Sequence, residues 1–396
     1  MVAAVRRGDS LRTVAQSFRV ALRTVQRWVE RAKGRRLDRV DWSPHSRRPH
    51  GSPMRTSDEL QARILTLRRT LKDESALGEY GAAAIRRALV ENCWPNVPAE
   101  RTIHRILERR GALDGQRRVR RAAPAPGWYL PDVASQCAEL DQVDLVEGLV
   151  IRGGTEVEVL NLVSVHGGLI GCWPAAPYKA AMVRARLLEH WREFGLADYV
   201  QFDNGTVFLG PSNHPDVIGS VCRMCLSLGV TPVFAPPRET GFQAAIESLN
   251  ARWQAKVWAR FEHVSIEALE AQSDRYVEAS HKRAAVRIDG APIRRPFPGP
   301  DDWRLTKAAL QAKPQGRLVL IRRTDDKGAA TVLGRDYQVD VNWPNRLVRV
   351  ELSLTEGHIC FYALRRRAPE QQQLLRQTQY ALPDRKFRID DFEDEG

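Results

Sequence analysis

Apolar residues recur every three or four positions in the first part of the chain. In residues 11–33, LRTVAQSFRVALRTVQRWVERAK, Val14 and Phe18 are four apart, as are Val25 and Val29, with Trp28 beside them. That is helical spacing on two short segments. FRVAL between them leaves room only for a turn, so the stretch predicts a helix-turn-helix with a basic second helix. The period returns from Ser57: Ile64, Leu67 and Leu71, then Ile85 and Leu89, then Ile103 and Leu107. Ser57 ahead of two acids is a helix start, Pro98 suits a first turn and Gly111 a stop. These helices predict a second helix-turn-helix. Pro44, Pro49 and Pro53 bar a helix from the basic stretch between the two modules. QRRVRRAAPAPG, after the second module, reads as a basic linker.

Near residue 137 the period shortens to two. CAELDQVDLV, EVEVLNLVSV and LIGCWPA read as three strands. AAMVRARLLEHWREFG is helical through Val183, Leu187, Leu188 and Trp191. YVQFDNG is a strand, IGSVCRMCLSLG a helix, TPVFAP a strand, and FQAAIESLNARWQAKVWARF a long helix. On that last helix Ile246, Leu249, Trp253 and Val257 share the inward face, and Gln243, Glu247, Asn250 and Gln254 the polar one. Three strands, helix, strand, helix, strand, helix is the order of an α/β ribonuclease-H-like core. Further on, RLVLIRR, ATVLG, YQVDV, LVRVELS and HICFYAL alternate with turn chemistry and predict a small SH3-like β-barrel. The organisation expected is therefore multidomain. An all-α helix-turn-helix domain spans 1–41, a basic linker 42–56, a second helix-turn-helix 57–115 and a linker 116–131. The α/β core spans 132–295, the barrel 310–366, and a Gln-rich, acidic and disordered tail 367–396.

Charge sharpens this. The 396 residues carry a net charge of +13. Residues 1–125 hold 28 Lys and Arg against 13 Asp and Glu, and the remainder 33 against 35. A positive excess confined to one region predicts a polyanionic partner there, with double-stranded DNA the leading candidate. The groove-facing candidates are Arg23, Thr24 and Arg27 in the first module, and Arg101, Thr102 and Arg105 in the second, with His104 beside them. Arg47 and Arg48 lie in the strip between the modules, which is either a groove-following arm or a spacer. No run approaches the roughly 20 apolar residues of a membrane span, and arginines occupy the place of a signal peptide's apolar region. A cytoplasmic, nucleoid-associated protein is expected. Cys222 and Cys225 form a lone CxxC without two further ligands, which favours core packing over zinc. There is no phosphate-binding GxxxxGK[ST] loop.

LDQVDL, QFDNGTVF and GFQAAIESLN resemble the three catalytic motifs of integrase-core (DDE, retroviral-integrase-like) transposases of bacterial insertion sequences. The segment SPHSRRPHGSPMRTSDELQARILTLRR is similar to the stretch between the two N-terminal modules of such enzymes. The resemblance runs over roughly residues 10–295. It implies Asp141, Asp203 and Glu247 as catalytic residues and metal ligands. Together they would hold two Mg²⁺ ions about 4 Å apart, with Mn²⁺ able to substitute. It implies binding to terminal inverted repeats, cleavage at the element ends and joining of 3′-hydroxyls to target DNA by at least a dimer. Asp144 is the alternative to Asp141, since alternation along the strand does not decide between them. Forty-three residues separate Asp203 from Glu247, with the surplus assigned to a loop around GPSNHPDVIGS, and a shorter spacing would select Glu239. Glu239 falls in an irregular Pro/Gly stretch, which favours Glu247. Arg252 and Lys256, four apart on the Glu247 helix, either touch DNA phosphates or form a solvated face. A catalytically silent DNA-binding regulator and a nuclease without joining activity are the rival readings.

Overall fold

The computed structural model of the chain describes residues 1–43, 56–113, 126–210, 215–237, 239, 241–366 and 368–384. Arg47 and Arg48, and most of the linker after the second module, lie outside the described residues. The chain divides into two compact units, Met1–Gln61 and Ala62–Gly396.

In the first unit, helices α1 (Val2–Arg6), α2 (Leu11–Ser17) and α3 (Leu22–Ala32) surround Ala4, Val14, Ala15 and Val25. The Ser10 hydroxyl caps α2 by accepting the Thr13 N–H at 3.1 Å. At the far end of α3, Arg6 donates to the Ala32 and Arg35 carbonyls at 2.6 and 2.7 Å, tying α1 to the end of α3 and the turn after it. The short α1 has no sequence period to announce it. Arg23 and Arg27 stand exposed on α3, and Thr24 is half-buried.

The second unit carries α4 (Asp58–Glu74, whose first residues belong to the first unit), α5 (Ala82–Glu91), α6 (Glu100–Arg109) and the single turn α7 (Pro131–Ala134). Ile85, Leu89, Ile103 and Leu107 are buried as their spacing requires, while Arg101 and Arg105 are exposed. The core sheet begins with β1 (Leu140–Val150), β2 (Glu156–Ser164) and β3 (Ile170–Ala175), paired antiparallel. Helix α8 (Ala180–Phe194) leads to β4 (Tyr199–Phe202), and α9 (Thr206–Leu209) and α10 (Ser220–Ser227) lead to β5 (Thr231–Phe234). Both strands add in parallel, β4 to β1 and β5 to β4. Val183, Leu187, Leu188 and Trp191 of α8, with Cys222 and Cys225 of α10, bury against Val143, Val200 and Phe202 on one face. On the other face lie α11 (Ala244–Trp253), a π-helical turn at Gln254–Trp258, and α12 (Ile266–Asp289). Ile246, Leu249, Trp253 and Val257 point inward there, although the single long helix expected is broken by the π turn.

The C-terminal segment corrects an expectation. It does not close into a separate barrel. After α13 (Lys307–Gln311), strand β6 (Arg317–Arg323) pairs parallel with β5 through Val233↔Val319 and Phe234↔Leu320. Strands β9 (Leu347–Ser353), β10 (His358–Ala363) and β11 (Leu374–Gln379) continue antiparallel from β6. The result is one nine-stranded mixed sheet, ordered β11-β10-β9-β6-β5-β4-β1-β2-β3. The physical reason is visible in β6: Leu318 and Leu320 pack on the α8 and α10 face, Val319 and Ile321 on the opposite one. An unbroken apolar run of this kind belongs to a strand covered on both sides. Strand β11 also falls in the Gln-rich stretch expected to be disordered. Between β6 and β9, β7 (Ala329–Val332) and β8 (Arg335–Gln338) form a hairpin. It meets the loop ahead of α10: Asp216 accepts from Arg335 Nε at 2.7 Å, and its N–H donates to the Leu333 carbonyl at 2.8 Å. The surplus residues between Asp203 and Glu247 thus include the seat for this hairpin. Among the described residues no helix is long and apolar enough to cross a membrane.

Candidate active site

Successive residues of β1 face opposite sides of the sheet. Gln142 and Asp144 face α11, whose Ile246 N–H donates to Gln142 Oε1 at 3.1 Å and whose Asn250 Nδ2 donates to Asp144 Oδ2 at 2.7 Å. Asp141 therefore faces α8. There it is fully buried and surrounded by donors. Arg294 grips both oxygens, at 2.9 and 2.6 Å; Ser164 Oγ donates at 2.9 Å and Trp191 Nε1 at 3.0 Å. Burial pushes its carboxyl up, but the charge and hydrogen bonds of Arg294, with His190 and Trp191, outweigh that and hold it at about 2. Asp141, the expected first carboxylate, is thus the acid of an internal ion pair, and it turns away from the face of β1 on which α11 packs.

Asp144 has the opposite surroundings. Burial and then the negative charge of Asp203 raise its carboxyl to about 6, with a smaller push from Glu247, against hydrogen bonds from Asn250 and the Leu145 N–H. Asp203 follows β4 directly, and its Oδ1 accepts the Gly205 N–H at 2.8 Å. A Cβ on Gly205 would stand 2.9 Å from that same oxygen, so a side chain there would push the Asp203 carboxylate from its present position. Glu247 sits exposed in the first turn of α11, where a helix favours an acid. Among the described residues no cation pairs with Asp144, Asp203 or Glu247. Nor do any three acidic, histidine or cysteine groups there stand close enough to hold an ion as they are. Glu239 is removed from contention: its carboxylate is paired with Arg323 Nε at 2.6 Å.

The start of α11 is fixed by a buried network that sequence reasoning missed. Gln142 and Gln201 are register partners on β1 and β4, each two residues ahead of an aspartate. Gln142 Nε2 donates to Gln201 Oε1 at 2.7 Å and to the Phe242 carbonyl at 3.0 Å; the Tyr129 hydroxyl lies 2.6 Å from Gln201 Oε1. The only sequence signal was the polar residue at i−2 within two otherwise apolar strands. Arg252 is exposed, with Nε on the Ser248 carbonyl. Lys256 instead bonds the Gly78 carbonyl at 3.1 Å, and Arg260 bonds the Lys72, Asp73 and Ser75 carbonyls at the end of α4. Glu79 joins Arg87 of α5 to Arg283 of α12. The second helical module is thereby anchored to the core, and Lys256 is engaged there rather than open to a phosphate.

Residues 24–107 match a homeodomain-like domain. No curated protein sequence matches the chain. Among solved structures, the chain is similar to the simian T-cell lymphotropic virus intasome in complex with PP2A regulatory subunit B56 gamma. The identity is 13%, covering 71% of this chain and 88% of that one, with a TM-score of 0.32. It is similar to the catalytic core domain of BIV integrase at 18% identity, covering 35% and 80% of the two chains, with a TM-score of 0.26. It is also similar to the HTLV-2 integrase catalytic core domain in complex with magnesium, at 11% identity over 41% and 88%, TM-score 0.26. The protein thus combines an N-terminal helical, homeodomain-like region with an α/β core built on a large mixed sheet.

Proposed function

We propose that the protein is a DNA transposase whose three catalytic carboxylates are Asp144, Asp203 and Glu247. The observation that carries this reading is that Asp144 of β1 lies within electrostatic reach of Asp203, at the end of β4, and of Glu247 on α11, none of the three with a basic partner among the described residues. Burial, and after it the negative charges of Asp203 and Glu247, raise the Asp144 carboxyl to about 6. Structural acids are paired, as Asp141 is with Arg294. Unpaired acids on converging elements mark a site kept for a cation or a reaction.

The donor set is carboxylate oxygen, which suits Mg²⁺ or Mn²⁺. Bound there, a divalent pair would supply an activated hydroxyl and stabilise the leaving oxygen of a phosphodiester. The chain's own residues supply the rest. Asn250 orients Asp144, the Gly205 N–H orients Asp203, and Gln142 fixes the first turn of α11 on which Glu247 stands. No hydrogen bond among the described residues holds the Glu247 carboxylate, so it can turn toward the two aspartates. In this reading Arg23, Thr24, Arg27, Arg101, Thr102 and Arg105 contact the duplex at terminal inverted repeats. Cleavage at the element ends and joining of 3′-hydroxyls to target DNA follow, in an assembly of at least two copies.

The test uses labelled duplexes from the DNA flanking the gene, incubated with full-length protein and Mg²⁺. Nicking at a repeat end with joined products, both lost in Asp144→Asn and Asp203→Asn, supports the transposase. Nicking without joining points to a nuclease. Specific binding with no cleavage by any variant points to a DNA-binding regulator.

A further inference from the structure

Strand β6 lies outside all three motif-bearing segments, yet it reaches the aspartate turn. Arg322, next to its last residue, donates Nη2 to Asn204 Oδ1 at 3.0 Å and Nη1 to the Ile321 carbonyl at 2.8 Å. Asn204 in turn donates Nδ2 to the Ala235 carbonyl, just past β5, at 2.7 Å. The residue between Asp203 and Gly205 is thus tied on one side to the neighbouring strand and on the other to β6. No carboxylate among the described residues meets Arg322. Its guanidinium is buried enough that burial alone lowers its pKa to about 10. A buried cation without a counter-charge is costly, and a neutral side chain would fill the space at less expense. What the guanidinium provides that an apolar chain cannot is a directed donor to Asn204.

Alternation places Arg322 on the same side of β6 as Leu318 and Leu320, the side that packs toward α10. It therefore reaches the turn from that side, and its side-chain partner there is Asn204. We propose that Arg322 is a positioning residue of the carboxylate site. Through Asn204 it fixes the Asp203–Gly205 turn, and with it the direction in which Asp203 presents its oxygens to a divalent cation. This rests on the carboxylate reading above.

The test is Mn²⁺ binding to the full-length protein, followed by electron paramagnetic resonance, with unfolding midpoints measured alongside. Residues that orient metal-holding groups typically matter by about 10–100-fold in affinity. Arg322→Met is expected to weaken Mn²⁺ binding by about tenfold, at the low end of that range. Asn204→Ala is expected to do the same, and the double variant to be no weaker than either single one, because both break one link. Arg322→Lys, which keeps a donor, is expected to recover part of the loss. Unchanged Mn²⁺ affinity in folded Arg322→Met or in folded Asn204→Ala overturns the proposal. A lowered unfolding midpoint with unchanged affinity would assign Arg322 to the fold alone. If Asp203→Asn also leaves Mn²⁺ binding unchanged, the carboxylate reading itself has failed.

Discussion

Asp141 and Asp144 stand three residues apart on one strand and are expected to respond oppositely to the same substitution. Asp144 is raised from 3.8 to about 6. Each unit is worth about 1.4 kcal/mol, so holding this carboxylate ionised costs the fold about 3 kcal/mol. A group raised in the folded state adds stability below its unfolded value and loses that contribution as the pH climbs through the folded value. Metal-free protein should therefore lose about 3 kcal/mol between pH 4 and pH 7.5 on account of this residue. Asp144→Asn removes the charge and keeps an oxygen for Asn250. At pH 7.5 with EDTA it should be more stable than the parent by up to about 3 kcal/mol, and near parity at pH 4. Asp141→Asn strips the negative charge from buried Arg294 and should cost about 3–5 kcal/mol. Urea unfolding read by tryptophan fluorescence measures both. If Asp144→Asn is destabilised at pH 7.5 as Asp141→Asn is, the argument that burial and the neighbouring acids disfavour the Asp144 charge is wrong.

Mg²⁺-dependent nicking of supercoiled plasmid should fall by about a hundredfold or more in Asp144→Asn, Asp203→Asn and Glu247→Gln, as when one preorganised charge-stabilising group is removed; full activity in Asp144→Asn would return the role to Asp141. On the acid side, Asp141 is lowered to about 2, so its contribution of about 2 kcal/mol is present above pH 3.8 and lost as the pH falls toward 2. Arg294→Met should flatten that limb of an acid-unfolding curve. Arg23→Ala and Arg27→Ala, if each removes one phosphate contact, should each make the slope of log affinity against log salt shallower by about one. Arg260→Ala removes the donor to three carbonyls at the end of α4. Hydrogen exchange over residues 58–113 should speed up while the sheet amides are unaffected.

Much of this architecture is written in local periodicity. The apolar spacing at Val14 and Val25, and at Ile85 and Leu89, marks helices because a helix must bury one stripe. The inward face of α11 reads off Ile246, Leu249 and Trp253 for the same reason. The first acid does not read off in this way. Alternation says that Asp141 and Asp144 oppose each other, but only the docking of α11 decides which one shares its face. Arg294, which claims Asp141, lies far along the chain with nothing local to announce it. The C-terminal strands show the same division. Each was legible from turn chemistry, but whether they curl into a barrel or extend a sheet depends on β6 finding β5. The buried acid Asp216 was hidden for a related reason, since its partner Arg335 sits on a hairpin folded back from β6.

The seam between β5 and β6 also dictates an order of events during synthesis. Until residues 317–323 have been made, β5 ends the sheet with an open row of backbone donors and acceptors, flanked by Val233 and Phe234. Such an edge invites pairing with another chain, and contacts between distant segments form slowly. A nascent or prematurely terminated chain carrying the three acids would thus hold them on an unfinished sheet. It would be prone to associate through β5 with a second such chain, and the complete chain escapes that fate by supplying its own edge partner.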